Sequence, residues 1–502
     1  MMEAFDGQAC AASSSVAPSS LLGRIRRGFT ERKQRMLEET ESKASEREAW
    51  IARHRFFYEE DWRYMRFLVP QGKRVLDLGC GAGELLNAVQ PAEGIGVDFS
   101  QAMIDRAKIG FPALTFVRGD AENLEDVAEI EGEFDIIIMS DTIGSLDDCL
   151  ETFRSLKRFC KPQTRVIVTY QSRIWEPLIL LHAWLTTKQP VLLRNWLSSQ
   201  DIANLLDLAD FDVIKREWRI LCPLHLFGLG SLINRYIATL PLIRKICLRN
   251  YVVARPQPQR PLGDLSTTIV VPCRNERDNI EPAVTRIPDF CTRKEIIFVE
   301  GGSSDGTWER IQQVIADYPQ VDIKALKQTG TGKGDAVRYG FAEANGDVLM
   351  ILDADLTMPP EDLPKFYTVL ASGKGEFVNG SRLVYPMEKQ AMRLLNLLAN
   401  YIFAQLFTYL LNQRHTDTLC GTKALLRESY NEISRNRAYF GNFDPFGDFD
   451  LLFGANKLNL KTAEVPIRYA ARTYGETQIS RFRHGWLLLR MVCFAFKKLK
   501  AL

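Results

Sequence analysis

From Lys73 onward, short runs rich in Val and Ile alternate with segments of helical spacing: RVLDLGC, GIGVDF, LTFVRGD, FDIIIMS and RVIVTY. Such alternation predicts parallel strands joined by crossover helices, a doubly wound α/β sheet. An apolar insertion containing Trp175, Trp184 and Trp196 fills Tyr170–Ser198, before helix-like DIANLLDLAD and strand-like FDVIKREWRIL. A second insertion, Pro223–Leu248, leads to NYVVARP, which reads as a closing edge strand. RPQPQRPLGD then places three prolines in ten residues, a composition that favours extended chain and predicts a linker. Beyond it a fresh alternation begins with TTIVVPCRNE, KEIIFVEGG, VDIKALKQ and DVLMILDADL. No internal repeat relates the halves, so two different α/β domains are expected. Their limits read as a disordered lead over 1–20, a charged helical lead-in over 21–68 and a first domain over 69–256. A linker over 257–265 and a second domain over 266–502 follow.

Composition agrees with this division. A chain of 502 residues, 46% hydrophobic, has apolar material for more than one core and is not disordered as a whole. The formal net charge of +2 gives no global field for nucleic acid, so none is expected as a partner. Ten cysteines without a C-x-x-C pair argue against a zinc ribbon or disulfide framework and suit a reducing cytosol. The N-terminus lacks a basic region followed by an apolar core, so no secretory signal is expected. Leu394–Leu411 is uncharged and approaches spanning length, but Asn396, Asn400, Gln405 and Thr408 interrupt it. It is expected to be buried in a core or to lie in an interface plane.

In VLDLGCGAG, Gly79, Gly81 and Gly83 sit where a strand turns into a helix, allowing a ligand to approach the backbone. Asp98 ends the next strand, where a carboxylate can accept both hydroxyls of a ribose. Asp120, after the third strand, is placed to meet an adenine amino group. The G-x-G-x-G spacing, with Asp77 two residues ahead, disfavours a nicotinamide dinucleotide. Together these motifs resemble class I S-adenosylmethionine-dependent methyltransferases over about Val69–Pro256. The resemblance implies a Rossmann-like fold with Asp77, Gly79, Gly81, Gly83, Asp98 and Asp120 lining the cofactor pocket and Ser140 nearby. Asp141, Tyr170 and His182 are base candidates by position, although in-line methyl transfer can proceed without a base.

The second domain opens on VVPCRNE, with Pro272, Arg274 and Glu276 at a strand end, and continues to Glu300 in IIFVEGGSSDGT. In VLMILDADL, alternation aims Asp353 and Asp355 to one side, where they repel unless a divalent cation such as Mg²⁺ or Mn²⁺ lies between them. Such an ion bridges a diphosphate and stabilises its leaving charge. TGTGKGDA is not a P-loop, because Lys327 stands at the first glycine position and Gly334 replaces Ser/Thr. Arg382 in GSRL offers a guanidinium fork to phosphate.

This combination resembles family 2 glycosyltransferases of the A-type nucleotide-binding fold, in the polyprenyl-phosphate mannose and glucose synthase branch, over about Ser266–Gly485. The resemblance implies Pro272, Arg274, Glu276 and Glu300 on a nucleotide-sugar donor and Asp353 and Asp355 on the metal and diphosphate. It also places Lys333 near the diphosphate and Asp417 on the acceptor side. Asp448 takes the catalytic base position, with Asp450 second and an ordinary helix N-cap the competing role. Glu300 stands where that family usually has Asp, and Thr357 where the branch often supplies Gln or His.

The C-terminal segment carries Arg472, Arg481, Arg483, Arg490, Lys497, Lys498 and Lys500 against Glu476 alone, interleaved with apolar residues. It suits either an anionic membrane face or a solvated helix on its own domain. The expected protein is a bifunctional, peripheral, cytosol-facing enzyme. It joins methyl transfer to metal-dependent inverting sugar transfer onto a glycan or polyprenyl-phosphate acceptor. The competing reading makes the first domain a noncatalytic cofactor-binding or scaffolding module.

Overall fold

The computed structural model describes residues 29–178, 194–258, 261–385, 394–440, 449–470, 472, 474 and 481–502. Two seven-stranded sheets follow one another along the chain. The first contains β1 (Arg74–Leu78), β2 (Glu93–Asp98), β3 (Thr115–Arg118), β4 (Phe134–Ser140), β5 (Cys160–Gln171), β6 (Phe211–Arg219) and β7 (Arg249–Pro256). Their spatial order is β3-β2-β1-β4-β5-β7-β6, parallel from β3 to β5. β7 runs antiparallel between β5 and β6, so it is not the edge strand its position in the chain suggests. Arg249–Arg255 is buried throughout, as a strand covered on both faces must be, and β6 forms the edge.

The second sheet contains β8 (Thr267–Cys273), β9 (Lys294–Glu300), β10 (Asp322–Lys327), β11 (Val348–Ile351), β12 (Phe377–Ser381), β13 (Lys423–Leu426) and β14 (Thr462–Pro466). Its order is β10-β9-β8-β11-β13-β12-β14, with β13 antiparallel to both neighbours. In both sheets the order reverses beside the first strand, which opens a crevice at the carboxyl ends of β1 and β8. The lead-in forms helices Glu31–Lys43, Arg47–Arg53 and Arg55–Leu68. Leu394–Leu411 is a helix that buries Phe403, Phe407, Leu410 and Leu411 in the core while leaving Tyr401 and Ile402 exposed. Among the described residues no helix is long and apolar enough to cross a membrane.

One apolar cluster runs through both sheets' surroundings, from Tyr64, Phe67 and Tyr251 to Phe377, Phe407 and Phe453. Buried charges pin this join. Arg165 donates to both oxygens of Glu376 at 2.7 and 2.8 Å, and Arg255 approaches the same carboxylate at 3.5 Å. The Arg165 Nε–H also reaches the Asn459 carbonyl at 2.9 Å. At the other end Lys500, wholly buried, donates to Glu217 at 2.6 Å and to Asn412 at 2.8 Å. Burial pushes the Glu217 carboxyl up, but Lys500 and Arg219 outweigh it and hold it down at about 2. Arg219 in turn donates to the carbonyls of Leu499 and Lys500, so the chain end is strapped onto β6.

A buried carboxylate shared by two guanidinium groups is costly to remove, because both buried cations lose a charged partner that offsets their desolvation. Glu376→Ala is expected to lower unfolding stability by about 3–5 kcal/mol in a denaturant titration. A loss under about 1 kcal/mol, the value of an exposed pair, would show that the join does not depend on this carboxylate.

Candidate active sites at two strand-end crevices

In the first crevice β1 ends in three glycines with positive φ: Gly79 at 74°, Gly81 at 55° and Gly83 at 86°. A side chain at Gly83 would meet the Phe116 ring at 2.6 Å, whereas one at Gly81 would meet nothing within 4 Å and project into open space. Gly81 is thus a cradle position, with its N–H donated to Asp98 Oδ2 at 2.9 Å. The other oxygen of Asp98 accepts from the Ser100 N–H at 2.9 Å. Burial raises the Asp98 carboxyl, partly offset by these two donors.

Asp77 is 1% exposed, and neither of its oxygens has a hydrogen-bond partner. Burial, reinforced by Asp98 and Glu84, pushes its carboxyl up to about 8. Such a group is expensive in the ligand-free protein and calls for a cationic partner. An unpartnered carboxylate beside an open glycine cradle fits a nucleoside ligand with a positively charged arm, as the sequence implies.

Asp120 follows β3, where the lead-in engages it. Lys33, from the lead-in helix Glu31–Lys43, donates to both its oxygens at 2.5 and 2.6 Å and also to Glu122. The same helix sends Arg32 to Asp147 and the Gly144 carbonyl, both at 2.9 Å, and Glu41 accepts from the Ala102 N–H at 3.3 Å. It therefore covers the carboxyl ends of β2, β3 and β4.

The base candidates are also engaged. Asp141 accepts from Arg249 at 2.5 Å, and Arg249 further contacts Ser140 Oγ at 3.1 Å and Asp61 at 3.2 Å. Tyr170 donates to the Asn195 carbonyl at 2.5 Å, and burial pushes its hydroxyl up to about 12. His182 lies outside the described residues.

The second crevice is knitted from side chain to backbone. Asn275, in the left-handed region at φ 55°, gives its N–H to Ser303 Oγ at 2.9 Å, and its Oδ1 accepts from the Ser304 N–H at 2.9 Å. The Glu276 N–H meets Thr307 Oγ1 at 3.0 Å, and Glu300 Oε1 accepts from the Ser303 N–H at 2.5 Å. These bonds hold the loops after β8 and β9 together. Pro272 lies in β8 opposite Val299, and Arg274 is exposed just beyond.

Asp353 Oδ1 pairs with Lys333 at 2.6 Å, while Asp355 accepts from Thr357 Oγ1 at 2.9 Å and from Arg472 at 2.6 Å. Arg472 also reaches Glu276 at 3.2 Å, so one guanidinium spans the ends of β8 and β11. Burial would raise the Asp353 carboxyl, but Lys333, with Lys423 and Arg382, holds it below its usual range. Gly421 backs onto this pair, with no room for a side chain beside Asp353 and Lys333.

The Arg382 fork, expected on phosphate, is closed on Asp417 at 2.7 and 2.9 Å. Asp450 contacts Arg437 at 3.2 Å and Arg338 at 3.9 Å. Asp448 lies outside the described residues. Among the described residues no group of three or more metal-ligating side chains is assembled. The pair itself supplies hard oxygen donors of the kind that suit Mg²⁺ or Mn²⁺, and the two cations drawn onto it show that it demands positive charge.

Residues 51–216 match the family model described as a methyltransferase domain, and residues 268–434 match glycosyl transferase family 2. The chain is a methyltransferase domain followed by a family 2 glycosyltransferase domain. The glycosyltransferase domain is 37% identical over 122 residues to a dolichol-phosphate mannosyltransferase of Pyrococcus furiosus, covering 24% of this chain and 34% of that protein. It is 26% identical over 223 residues to an undecaprenyl-phosphate 4-deoxy-4-formamido-L-arabinose transferase of Yersinia pestis, covering 43% of this chain and 63% of the relative. The chain thus spans between about a third and two-thirds of the length of these curated relatives. Among solved structures, a possible histamine N-methyltransferase of Thermotoga maritima is 20% identical with a TM-score of 0.34, covering 44% of this chain and 99% of that one. Glucosyl-3-phosphoglycerate synthase of Mycobacterium tuberculosis, solved with Mn²⁺ and UDP, is 18% identical with a TM-score of 0.34, covering 47% and 80%.

Motif reading groups Arg472 with the basic C-terminal segment and Lys33 with the charged helical lead-in, and assigns neither to a site. Only folding brings either to its carboxylates.

The raised carboxyl of Asp77 has a consequence for stability. Its proton is held in the folded state up to about pH 8 but lost near pH 4 on unfolding, so its contribution to stability falls as pH rises across that window. Asp77→Asn is therefore expected to raise the melting temperature of the ligand-free protein at pH 7.5 by several degrees, with the gain shrinking toward pH 5. A variant that melts below the parent at both pH values would contradict the unpartnered carboxylate.

Proposed function

We propose that the methyltransferase domain uses S-adenosylmethionine and that the glycosyltransferase domain transfers a sugar, with inversion, from a nucleotide donor to a polyprenyl-phosphate acceptor. The domain limits of this reading are 69–256 and 266–502. The observation that carries it is the Asp353–Asp355 pair, neutralised by Lys333 and Arg472 at the crevice that Glu276 and Glu300 border. A diphosphate needs cations around it, and this crevice gathers both cations and cation-binding carboxylates.

In this reading Pro272, Arg274, Glu276 and Glu300 hold the nucleotide, and Asp353 and Asp355 hold Mg²⁺ or Mn²⁺. The bound ion supplies charge neutralisation for the departing nucleoside diphosphate. Lys333, fixed at the start of helix Lys333–Ala342, adds a positive charge beside Asp353. Arg472, which bridges Asp355 and Glu276, would add a second positive charge beside a bound diphosphate. Arg382 acts indirectly, holding Asp417 and the turn before β13 in position.

The curated relatives are named for dolichol and undecaprenyl phosphates, which supports a lipid phosphate as acceptor. Such a phosphate is already a nucleophile and needs no base, whereas a glycan hydroxyl would call on Asp448. A lipid acceptor also implies a peripheral position at a membrane's cytosolic face.

For the methyltransferase domain, Asp77 and the Gly79–Gly83 turn bind and orient the cofactor, and Asp98 holds its ribose. S-adenosylmethionine supplies the electrophilic methyl carbon when bound. The engaged states of Asp141 and Tyr170 favour transfer governed by positioning. Lys33 occupies the carboxylate assigned to the adenine, which favours the second reading, a noncatalytic cofactor-binding or scaffolding module, in its scaffolding form.

The test incubates the full chain with a panel of sugar nucleotides, Mn²⁺ or Mg²⁺, a short-chain polyprenyl phosphate and methyl-labelled S-adenosylmethionine. Nucleoside diphosphate release is expected with one donor, falling by about two orders of magnitude or more in Asp355→Ala. Activity insensitive to that substitution would remove the assigned site. Label in the lipid or glycan fraction would eliminate the noncatalytic module, and its absence with every acceptor offered would favour it.

A further inference from the structure

The densest group of exposed large apolar side chains among the described residues lies outside both crevices, in the insertion between β6 and β7. Phe227 is fully exposed at 107% and Leu242 at 86%, with Leu224, Leu232, Leu240 and Ile246 also open to solvent. At the loop tip Leu226, Phe227 and Gly228 all have positive φ, at 45°, 53° and 94°. Holding Leu and Phe in that region is unfavourable, and Phe227 gains no burial in return. Strain that displays an aromatic ring to water points to a surface built for a partner.

The insertion is not a loose flap. The Tyr409 hydroxyl donates to the Thr239 carbonyl at 2.6 Å, Arg244 donates to Asn412 at 2.9 Å, and the Tyr236 and Phe496 rings stack with centroids 6.3 Å apart. It is thereby seated on helix Leu394–Leu411 and on the segment Phe496–Lys500. Both neighbours add exposed apolar groups of their own. Tyr401 and Ile402 are exposed on the first helix, and Trp486, Leu489, Cys493 and Lys497 form an exposed stripe on the last.

Charge identifies the occupant. From Ile220 to Asn250 the sequence has no Asp or Glu, and none follows Glu476, while Lys245 and Lys497 are exposed. A protein partner's apolar patch would not require two separate acid-free stretches, whereas a negatively charged headgroup layer does.

We propose that this face docks on a lipid bilayer carrying anionic headgroups. Phe227 and Leu242 enter the boundary between headgroups and acyl chains, and Lys245 and Lys497 meet lipid phosphates. The inference deepens the lipid-phosphate reading and rests on it, and it assigns membrane contact to an insertion of the methyltransferase domain as well as to the basic C-terminal helix.

The test is flotation of the full chain with phosphatidylcholine vesicles, with and without phosphatidylglycerol. The parent is expected to float with the phosphatidylglycerol vesicles, and the doubly substituted F227E/L242E protein to bind about tenfold less, with an unchanged melting temperature. A parent that stays soluble with both vesicles, or a variant that floats equally well, overturns the proposal. So does a parental dimer, seen by sedimentation, that F227E/L242E dissociates without altering flotation, since that assigns the face to a second copy. Glycosylation of the short-chain acceptor by a protein that does not float would sink the docking surface and leave the enzymatic reading standing.

Discussion

Two buried carboxylates, Glu376 and Glu217, hold the molecule together as one body. Each lies where the surroundings of the two sheets meet, and each is shared by cations that have themselves left water. Hydrophobic contact alone would permit the two halves to slide, because apolar packing is non-directional. Bidentate Arg165–Glu376 and the Lys500–Glu217–Asn412 triad do not, since any displacement leaves a desolvated charge unpaired. The tail end thereby becomes part of the first sheet's edge, and the apolar insertion between β6 and β7 gains the platform on which it rests.

Within that frame both crevices carry electrostatic tension. Asp77 is buried without any partner, and Asp353 and Asp355 repel until Lys333 and Arg472 approach them. Groups so arranged cost stability in the empty protein and recover it when a ligand of the right charge arrives. The first crevice asks for a cation and the second for a cation together with an anion. That difference in demand distinguishes the two sites more sharply than their shared strand-end location does.

Much of this was readable before folding, because strand-end chemistry is local. The Gly79–Gly83 turn, Asp98 and the Asp353–Asp355 pair are each defined within a few residues by a strand running into a turn. The strands β12, β13 and β14, four or five residues long and set among polar segments, do not stand out in the sequence. β7 reads as an edge because chain order does not reveal that β6 lies outside it. Arg165, Glu376, Glu217 and Lys500 look like surface charges in the sequence, since the burial of a charge depends on what folds over it. The same applies to Lys33 and Asp120, whose pairing joins a helix in the lead-in to a turn after β3.

Calorimetric unfolding of the full chain, with and without S-adenosylhomocysteine, tests the account most directly. If the buried charge seam makes the halves one body and the first crevice takes the nucleoside, a single transition should move upward as a whole when the ligand is added. Two separate transitions, with at most the first responding to ligand, would contradict the shared body, and a scan unmoved by the ligand would contradict the pocket.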